Sequence, residues 1–141
     1  KVATAEFEIT GSGGGGGGSA SGGLNVTLVW TDPPANLGAA KMLVNDLDLT
    51  VTAPDNTVFY GNGGNAADTT NNVETVRLQT VTAGTYTIQI QASSVNGAFG
   101  SQPFALVATG KQSYGANTAS TSIGGSNGED YAIYLPYVRR P

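Results

Sequence analysis

Apolar and polar residues alternate in several short runs along this chain. The clearest run covers residues 24–31, where Leu24, Val26, Leu28 and Trp30 share one face. A period of two residues is typical of a β-strand with one buried face. Similar runs occur at residues 2–9, 43–53, 57–60, 73–81, 84–92 and 104–109. Together they predict about eight strands separated by turns.

The same pattern predicts the fold class and the core. No amphipathic helix of useful length is present, so we expect an all-β protein, an antiparallel β-sandwich or jelly roll. Four aromatic residues are expected in the core or at its rim, with a carbohydrate platform as the less favoured alternative: Tyr60, Tyr86, Phe99 and Phe104. The predicted core residues are Phe7, Leu28, Trp30, Leu47, Leu49, Val51, Val76, Leu78, Ile88, Ile90 and Leu106.

Low-complexity segments divide the chain into three regions. Residues 1–110 form the predicted sandwich, interrupted by a glycine-rich insertion at 11–23. Glycine loses the most backbone entropy on ordering, so the insertion is expected to be an irregular connector. A Ser/Thr/Gly/Asn-rich spacer follows at 111–130, and an aromatic strand segment, which opens Y-A-I-Y-L-P-Y-V, occupies 131–141. The chain opens at Lys1 without methionine, which we interpret as a processed or excised fragment.

Composition excludes most enzymatic chemistry. The chain has neither histidine nor cysteine. A Ser–His–Asp triad needs an imidazole to accept the serine proton, and no thiol is present as another nucleophile. The usual zinc ligands are missing too. We therefore predict that this chain is not an enzyme.

Charge and hydropathy limit the partners. The net charge is −4, from 6 basic and 10 acidic residues, which argues against binding to nucleic acid by bulk electrostatics. No apolar run approaches the ~20 residues of a membrane span. We expect a protein partner instead. The absence of cysteine fits either a reducing compartment or a secreted bacterial protein without disulfides, and the low lysine content favours the second.

Two groups of oxygen-bearing side chains are candidates for a cation site. Asp46 and Asp48 alternate with the inward leucines, so they either lie solvated on the outer face or bind calcium. The second group comprises Asp68, Asn71, Asn72 and Glu74. Calcium suits such ligands, although no EF-hand loop is present. The predicted metal residues are Asp46, Asp48, Asp68, Asn72 and Glu74.

Glu74 stands out within the second group. By parity it shares a face with Val76 and Leu78, so its carboxylate should be partly buried. A buried carboxylate needs a partner. Three alternatives are open for that partner: a metal, Arg77 on a neighbouring strand, or backbone amides near Asp32.

Several motifs in fixed order resemble one known family. W-T-D-P-P is followed by L-V-N-D-L-D-L, then by N-N-V-E and finally by Q-P-F-A-L-V. This combination resembles the C-terminal β-barrel (jelly-roll, P-domain-like) accessory domain of large secreted subtilisin-like serine proteases. The resemblance implies a secreted, extracellular, non-catalytic module, with the catalytic domain before Lys1. It also implies calcium, which members of the family carry in this type of barrel.

The end of the chain has its own resemblance. The segment 131–138 and the following Arg-Arg-Pro are similar to the Y-L-P-L-V endings of secreted proteins from filamentous Chloroflexota. This similarity again implies an extracellular bacterial protein.

Two functions therefore compete. In the first, the chain stabilises or positions a protease domain. In the second, it is a self-assembling subunit of an extracellular fibre or lattice, a homo-oligomer or polymer joined by exchange of terminal strands. The partner is the protease domain in the first case and identical subunits in the second. The residues predicted to mediate assembly are Tyr131, Ile133, Tyr134, Leu135, Tyr137, Phe7 and Ile9.

Overall fold

A computed structural model describes residues 2–9, 19–20, 23–96 and 102–110, with side chains described for 23–96 and 102–110. These residues form antiparallel β-structure, with one short 3₁₀ turn at Gly61–Gly63 and no α-helix within the described ranges. The strands are β1 (Val2–Ile9), β2 (Ser19–Ala20), β3 (Leu24–Trp30), β4 (Asp46–Thr52), β5 (Val58–Tyr60), β6 (Val73–Leu78), β7 (Val81–Thr82), β8 (Gly84–Ser94) and β9 (Phe104–Gly110).

The strands form two principal sheets and one small ribbon. The larger sheet has the order β1-β8-β4-β5, and the smaller has the order β6-β3-β9. The ribbon joins β2 to β7. All of these pairings are antiparallel. The predicted all-β sandwich is confirmed.

The core lies between the two principal sheets and follows the predicted alternation. Of the eleven predicted core residues, nine are buried. Leu78 is partly buried and packs against the core, and the side chain of Phe7 lies outside the described residues. Tyr86 and Phe104 are also buried, as predicted. Burial of one such large apolar side chain stabilises the fold by roughly 1.5–3 kcal/mol.

The hairpin between β4 and β5 fixes which backbone groups face outwards. Ala53 N–H donates to the Thr57 carbonyl at 2.8 Å, and Asn56 adopts a left-handed φ of 67° in the turn. Hydrogen-bonded and non-hydrogen-bonded pairs alternate along an antiparallel ladder. Phe59, opposite Val51, therefore turns its N–H and C=O towards β4. Its neighbours in β5 turn theirs away.

Two segments depart from the sequence prediction. The glycine-rich insertion, expected to be irregular, contains β2, which pairs Ser19 with Thr82 and Ala20 with Val81. The predicted run 73–81 is split into β6 and β7. The split has a physical reason, because Val76 and Val81 are both buried but lie an odd number of residues apart. A continuous strand would place them on opposite faces. The spacer and the aromatic C-terminal segment lie outside the described residues.

Candidate functional site

Asp32 anchors the long segment between β3 and β4. Its two carboxylate oxygens accept the backbone N–H groups of Val44, at 2.8 Å, and Asn45, at 2.7 Å. The acceptor lies two residues after the end of β3, and the donors directly precede β4. This one side chain therefore fixes both ends of the connection.

Asn45, 1% exposed, is the centre of a buried amide network at the same end of the sandwich. Its side-chain amide donates to Gln102 Oε1 at 2.6 Å, and its backbone carbonyl accepts Trp30 Nε1–H at 3.0 Å. Gln102 in turn donates to the carbonyl of Thr31 at 3.2 Å. These bonds connect the polar groups where β3, β4 and β9 meet, and buried polar groups need such partners.

Glu74 on β6 reaches across the sandwich to β4. Its side chain is fully buried, as its parity predicted. Oε2 accepts the Leu49 N–H at 2.7 Å. The ladder between β4 and β5 ends at Tyr60, so no β5 carbonyl is available to the Leu49 N–H. The Glu74 carboxylate takes the place of that carbonyl. Gly61 leaves room for it, since a Cβ there would overlap the Glu74 side chain.

Asp46 and Asp48 on β4 are also buried, each 5% exposed. The expectation that they lie solvated on the outer face is therefore wrong. Asp46 Oδ2 forms an ion pair with Lys41 Nζ at 2.9 Å, and Asp48 Oδ2 accepts a hydrogen bond from Ser93 Oγ. The other carboxylate oxygen of each has no partner within the described residues, and the same holds for Glu74 Oε1.

These buried carboxyls interact unfavourably when they are charged. Burial raises the pKa of Glu74 from 4.5 to about 7, and the negative charges of Asp48, Asp68 and Asp46 add to that rise. Burial likewise raises the pKa of Asp48, against the lowering effect of its hydrogen bond from Ser93. Glu74 therefore carries a proton over part of the neutral range.

Asp68 organises the loop before β6, and its pKa is lowered, whereas that of Glu74 is raised. Its Oδ2 accepts the side-chain amides of Asn62 and Asn71, both at 2.6 Å. Its Oδ1 accepts the backbone N–H groups of Thr70 and Asn71, at 2.8 Å and 3.3 Å. Burial alone would raise the pKa of Asp68, but these hydrogen bonds lower it. Its charged form is therefore favoured in the folded protein.

The five predicted metal residues do not come together as one ligand set. Asp68 has both oxygens occupied by amide donors, and the side-chain amide of Asn72 donates to the Trp30 carbonyl at 2.9 Å. Asp46, Asp48 and Glu74 each retain one unpartnered oxygen. Within 23–96 and 102–110, no three acidic side chains are arranged to hold a metal. Calcium binding therefore stays a prediction.

The predicted assembly residues fall in two places. Tyr131, Ile133, Tyr134, Leu135 and Tyr137 lie outside the described residues. Phe7 and Ile9 belong to β1, which pairs along its whole length with β8 of the same chain. Their side chains are not among those described. Their role in assembly also stays a prediction.

Sequence reasoning missed the polar network and the partner of Glu74. Gln102 precedes β9 outside any alternating run, and Asn45 lies within the run 43–53, which predicted a strand and no amide network. The Glu74 partner is the Leu49 amide, not a residue near Asp32. Arg77 is exposed and forms no ion pair within the described residues. One usable signal was the phase of Glu74 with Val76, which predicted its burial.

Fold and site together define an antiparallel β-sandwich with acidic groups buried between and beside its sheets. Three Dictyostelium discoideum proteins, each described as a serine protease/ABC transporter B family protein, are similar to parts of the chain. The tagB protein is 36% identical over 96 residues, covering 60% of this chain and 5% of its own length. The tagD protein is 52% identical over 42 residues, covering 29% and 2%.

The third relative, the tagA protein, is 30% identical over 83 residues, covering 51% of this chain and 5% of its own length. The chain thus spans only a few per cent of the relatives it matches. No family model matches the chain. The similarity is therefore to short regions of proteins that are described as serine protease/ABC transporter B family proteins. Separately, no helix within the described ranges has the length and apolarity needed to cross a membrane.

Glu74→Gln should change how stability depends on pH. A raised pKa means that the folded state binds the proton more tightly, so this group's contribution to stability falls as pH rises from 4.5 to about 7. The variant keeps an acceptor for Leu49 N–H but carries no charge. Relative to the parent chain, it should gain on the order of 3 kcal/mol between pH 4 and pH 8, at about 1.4 kcal/mol per pKa unit.

Urea unfolding at both pH values measures this difference, and Asp68→Asn is the matched control. Because the pKa of Asp68 is lowered, its charge stabilises the fold above the unfolded pKa, and this contribution is lost as pH falls. Asp68→Asn should therefore cost more stability at pH 7 than at pH 3. A Glu74→Gln effect independent of pH would contradict a buried, proton-binding Glu74.

The calcium prediction is tested by removal of the metal. An ion that binds only the folded state raises the melting temperature by mass action. Excess EDTA should therefore lower the melting temperature, and added calcium should restore it more effectively than magnesium. Elemental analysis of the purified chain provides the second readout. An unchanged melting curve together with no bound metal would eliminate calcium.

Proposed function

We propose that this chain is a non-catalytic extracellular module that stabilises or positions a serine-protease domain. The observation that carries the proposal is its similarity to regions of three serine protease/ABC transporter B family proteins. The similarity accompanies a chain without histidine or cysteine, which therefore lacks the imidazole of a serine-protease triad. A region shared with such proteins but unable to supply their chemistry is best explained as an accessory module.

The connection between β3 and β4 provides a surface for such a partner. Leu37 is fully exposed and Met42 is 69% exposed, which makes them the two most exposed large apolar side chains of the described residues. Residues 33–40 carry no charge. Asp32 fixes both ends of the connection. An uncharged apolar segment held at its base suits insertion into an apolar site on another protein domain.

A second candidate function is the self-assembling subunit. It is favoured by the outer edges of β5 and β6, which pair with no strand among the described residues. Exposed strand edges are where added strands from another chain bind. The joining segment would be one of the two termini.

The proposed function predicts that the chain stabilises the protease domain encoded with it. Thermal unfolding of that domain is measured with and without this chain. At a hundredfold excess over the dissociation constant the gain should be about 2.7 kcal/mol. Leu37→Ser should reduce the gain, whereas Val73→Ser, an exposed apolar residue on β6, should not.

Active-site labelling with a fluorophosphonate accompanies the stability measurement. The label should appear on the protease domain and not on this chain. Stoichiometric labelling of a serine in this chain would overturn the non-catalytic assignment. Failure to shift the unfolding temperature at any ratio would overturn the accessory function.

A further inference from the structure

A cleft of about 340 Å³ lies between β5 and β6, the neighbouring outer strands of the two principal sheets. Val58, Phe59 and Tyr60 line one side, and Val76, Arg77 and Leu78 line the other. Residues 63–65, at the end of the 3₁₀ turn and directly after it, complete the lining. Val58 is 45% exposed. The cleft therefore combines aromatic and aliphatic surface with one cationic side chain.

The backbone on both sides of the cleft presents unpaired hydrogen-bonding groups. The hairpin register turns the N–H and C=O groups of Val58 and Tyr60 away from β4. On β6, the Thr75 N–H donates to the side chain of Asn62, at 3.1 Å from Oδ1, and not to a strand. The backbone groups of alternate β6 residues therefore point away from β3. Arg77 has the same parity, and among the described residues nothing pairs with its outward backbone groups.

Asn62 limits where a strand can be added. Besides accepting the Thr75 N–H, it donates to the Val73 carbonyl at 3.0 Å. The Asn62 side chain thus makes the hydrogen bonds that a neighbouring strand would otherwise make along the first half of the outer edge of β6. The remaining edge begins at Arg77. A ligand must therefore bind partly through backbone bonds and partly through side chains in the cleft.

We propose that this cleft binds the chain's own segment Tyr131–Val138 as an added edge strand. The segment is apolar and carries Tyr131, Tyr134 and Tyr137. Tyrosine rings suit an aliphatic and aromatic cleft that contains Arg77, since a guanidinium stacks favourably on an aromatic face. Pro136 lacks an N–H, which is tolerated at a sheet edge. The inference is independent of the proposed accessory function.

The strand register places the departure point of the segment near the cleft. Gly110, the last residue of β9, is opposite Leu24, and Leu24 is opposite Leu78. Two strand spacings separate Gly110 from Leu78, about 10 Å. The twenty residues from 111 to 130 span roughly 25 Å on a root-mean-square basis if they behave as a Gly/Ser-rich coil.

The length of the connection favours binding of the segment to the cleft of its own chain over binding to the cleft of another copy. A short flexible connection holds the segment near the cleft at an effective concentration in the millimolar range. At micromolar protein concentration, binding within the chain therefore exceeds binding to a neighbour by about a thousandfold. Exchange between copies requires a much more concentrated solution.

Disulfide trapping tests the proposal in the full chain, which has no native cysteine. The test variant combines Val58→Cys with Ala132→Cys, and the matched control combines Thr109→Cys with Ala132→Cys, so that Arg77 and the three tyrosines are kept. Val58 lines the cleft and is 45% exposed, whereas Thr109 belongs to β9, on the other side of β3 from β6. Thr109 is also nearer to the segment along the chain. Random collisions therefore favour the control at least as much as the test pair.

At micromolar concentration the test pair should form an intramolecular disulfide at least about tenfold faster than the control. It should migrate faster in non-reducing electrophoresis. Equal rates for the two pairs would overturn the cleft as the binding site. Dimers and ladders at the same dilution would overturn pairing within one chain and would support the self-assembling subunit.

Amide hydrogen exchange provides a second measurement that needs no cysteine. The Arg77 N–H should be protected in the full chain and should lose about tenfold of its protection in Tyr134→Asp, which places a charge in the bound strand. Ala119→Asp in the spacer is the control and should leave protection unchanged. An Arg77 N–H that exchanges at the same rate in all three proteins would contradict an added strand.

Discussion

The hydrogen bond from Leu49 N–H to the Glu74 carboxylate is the contact on which the arrangement of the two sheets depends. It joins β4 of one sheet to β6 of the other at the point where the β4–β5 ladder ends. An unsatisfied buried N–H costs about 1–3 kcal/mol. A side chain that reaches this amide removes that cost and links the two sheets at this point. Gly61 is required beside it, because a larger residue would occupy the space of the carboxylate.

Burying the charged Glu74 carboxylate near other acidic groups has an electrostatic cost, which the nearby cation, Lys41, only partly offsets. Glu74, Asp48 and Asp46 are all buried. Lys41 forms an ion pair with Asp46, and its charge also acts to lower the pKa of Asp48. A proton on Glu74 removes one of the three negative charges without removing the bond to Leu49. Asn45, the residue directly before β4, is held differently, by neutral hydrogen bonds with Gln102 and Trp30. A fall in pH therefore favours the protonated form of Glu74, whereas the side-chain amides of Asn45 and Gln102 do not titrate.

Alternation along the chain was enough to predict the sandwich, because most of its strands bury one face and expose the other. It also predicted that Glu74 is buried, since Glu74 is in phase with Val76. It did not predict the partner, because Leu49 N–H is available only where β5 ends, and the end of a hairpin strand is a property of three-dimensional pairing. Asp46 and Asp48 showed the same limit. Their alternation with leucines predicted an outer face, but both are buried, and each has a hydrogen-bond donor that the alternation of a single strand does not predict, Lys41 for Asp46 and Ser93 for Asp48.

The most direct test of the role of Glu74 is a ¹³C NMR titration of its side-chain carboxyl carbon, with the Leu49 amide followed in the same samples. The carboxyl should titrate with a midpoint of about 7, and the Leu49 N–H should remain protected from exchange on both sides of it. A midpoint near 4.5, the ordinary value for glutamate, together with rapid exchange of the Leu49 amide, would show that the carboxylate is solvated. That result would contradict a sandwich held at this point by Glu74.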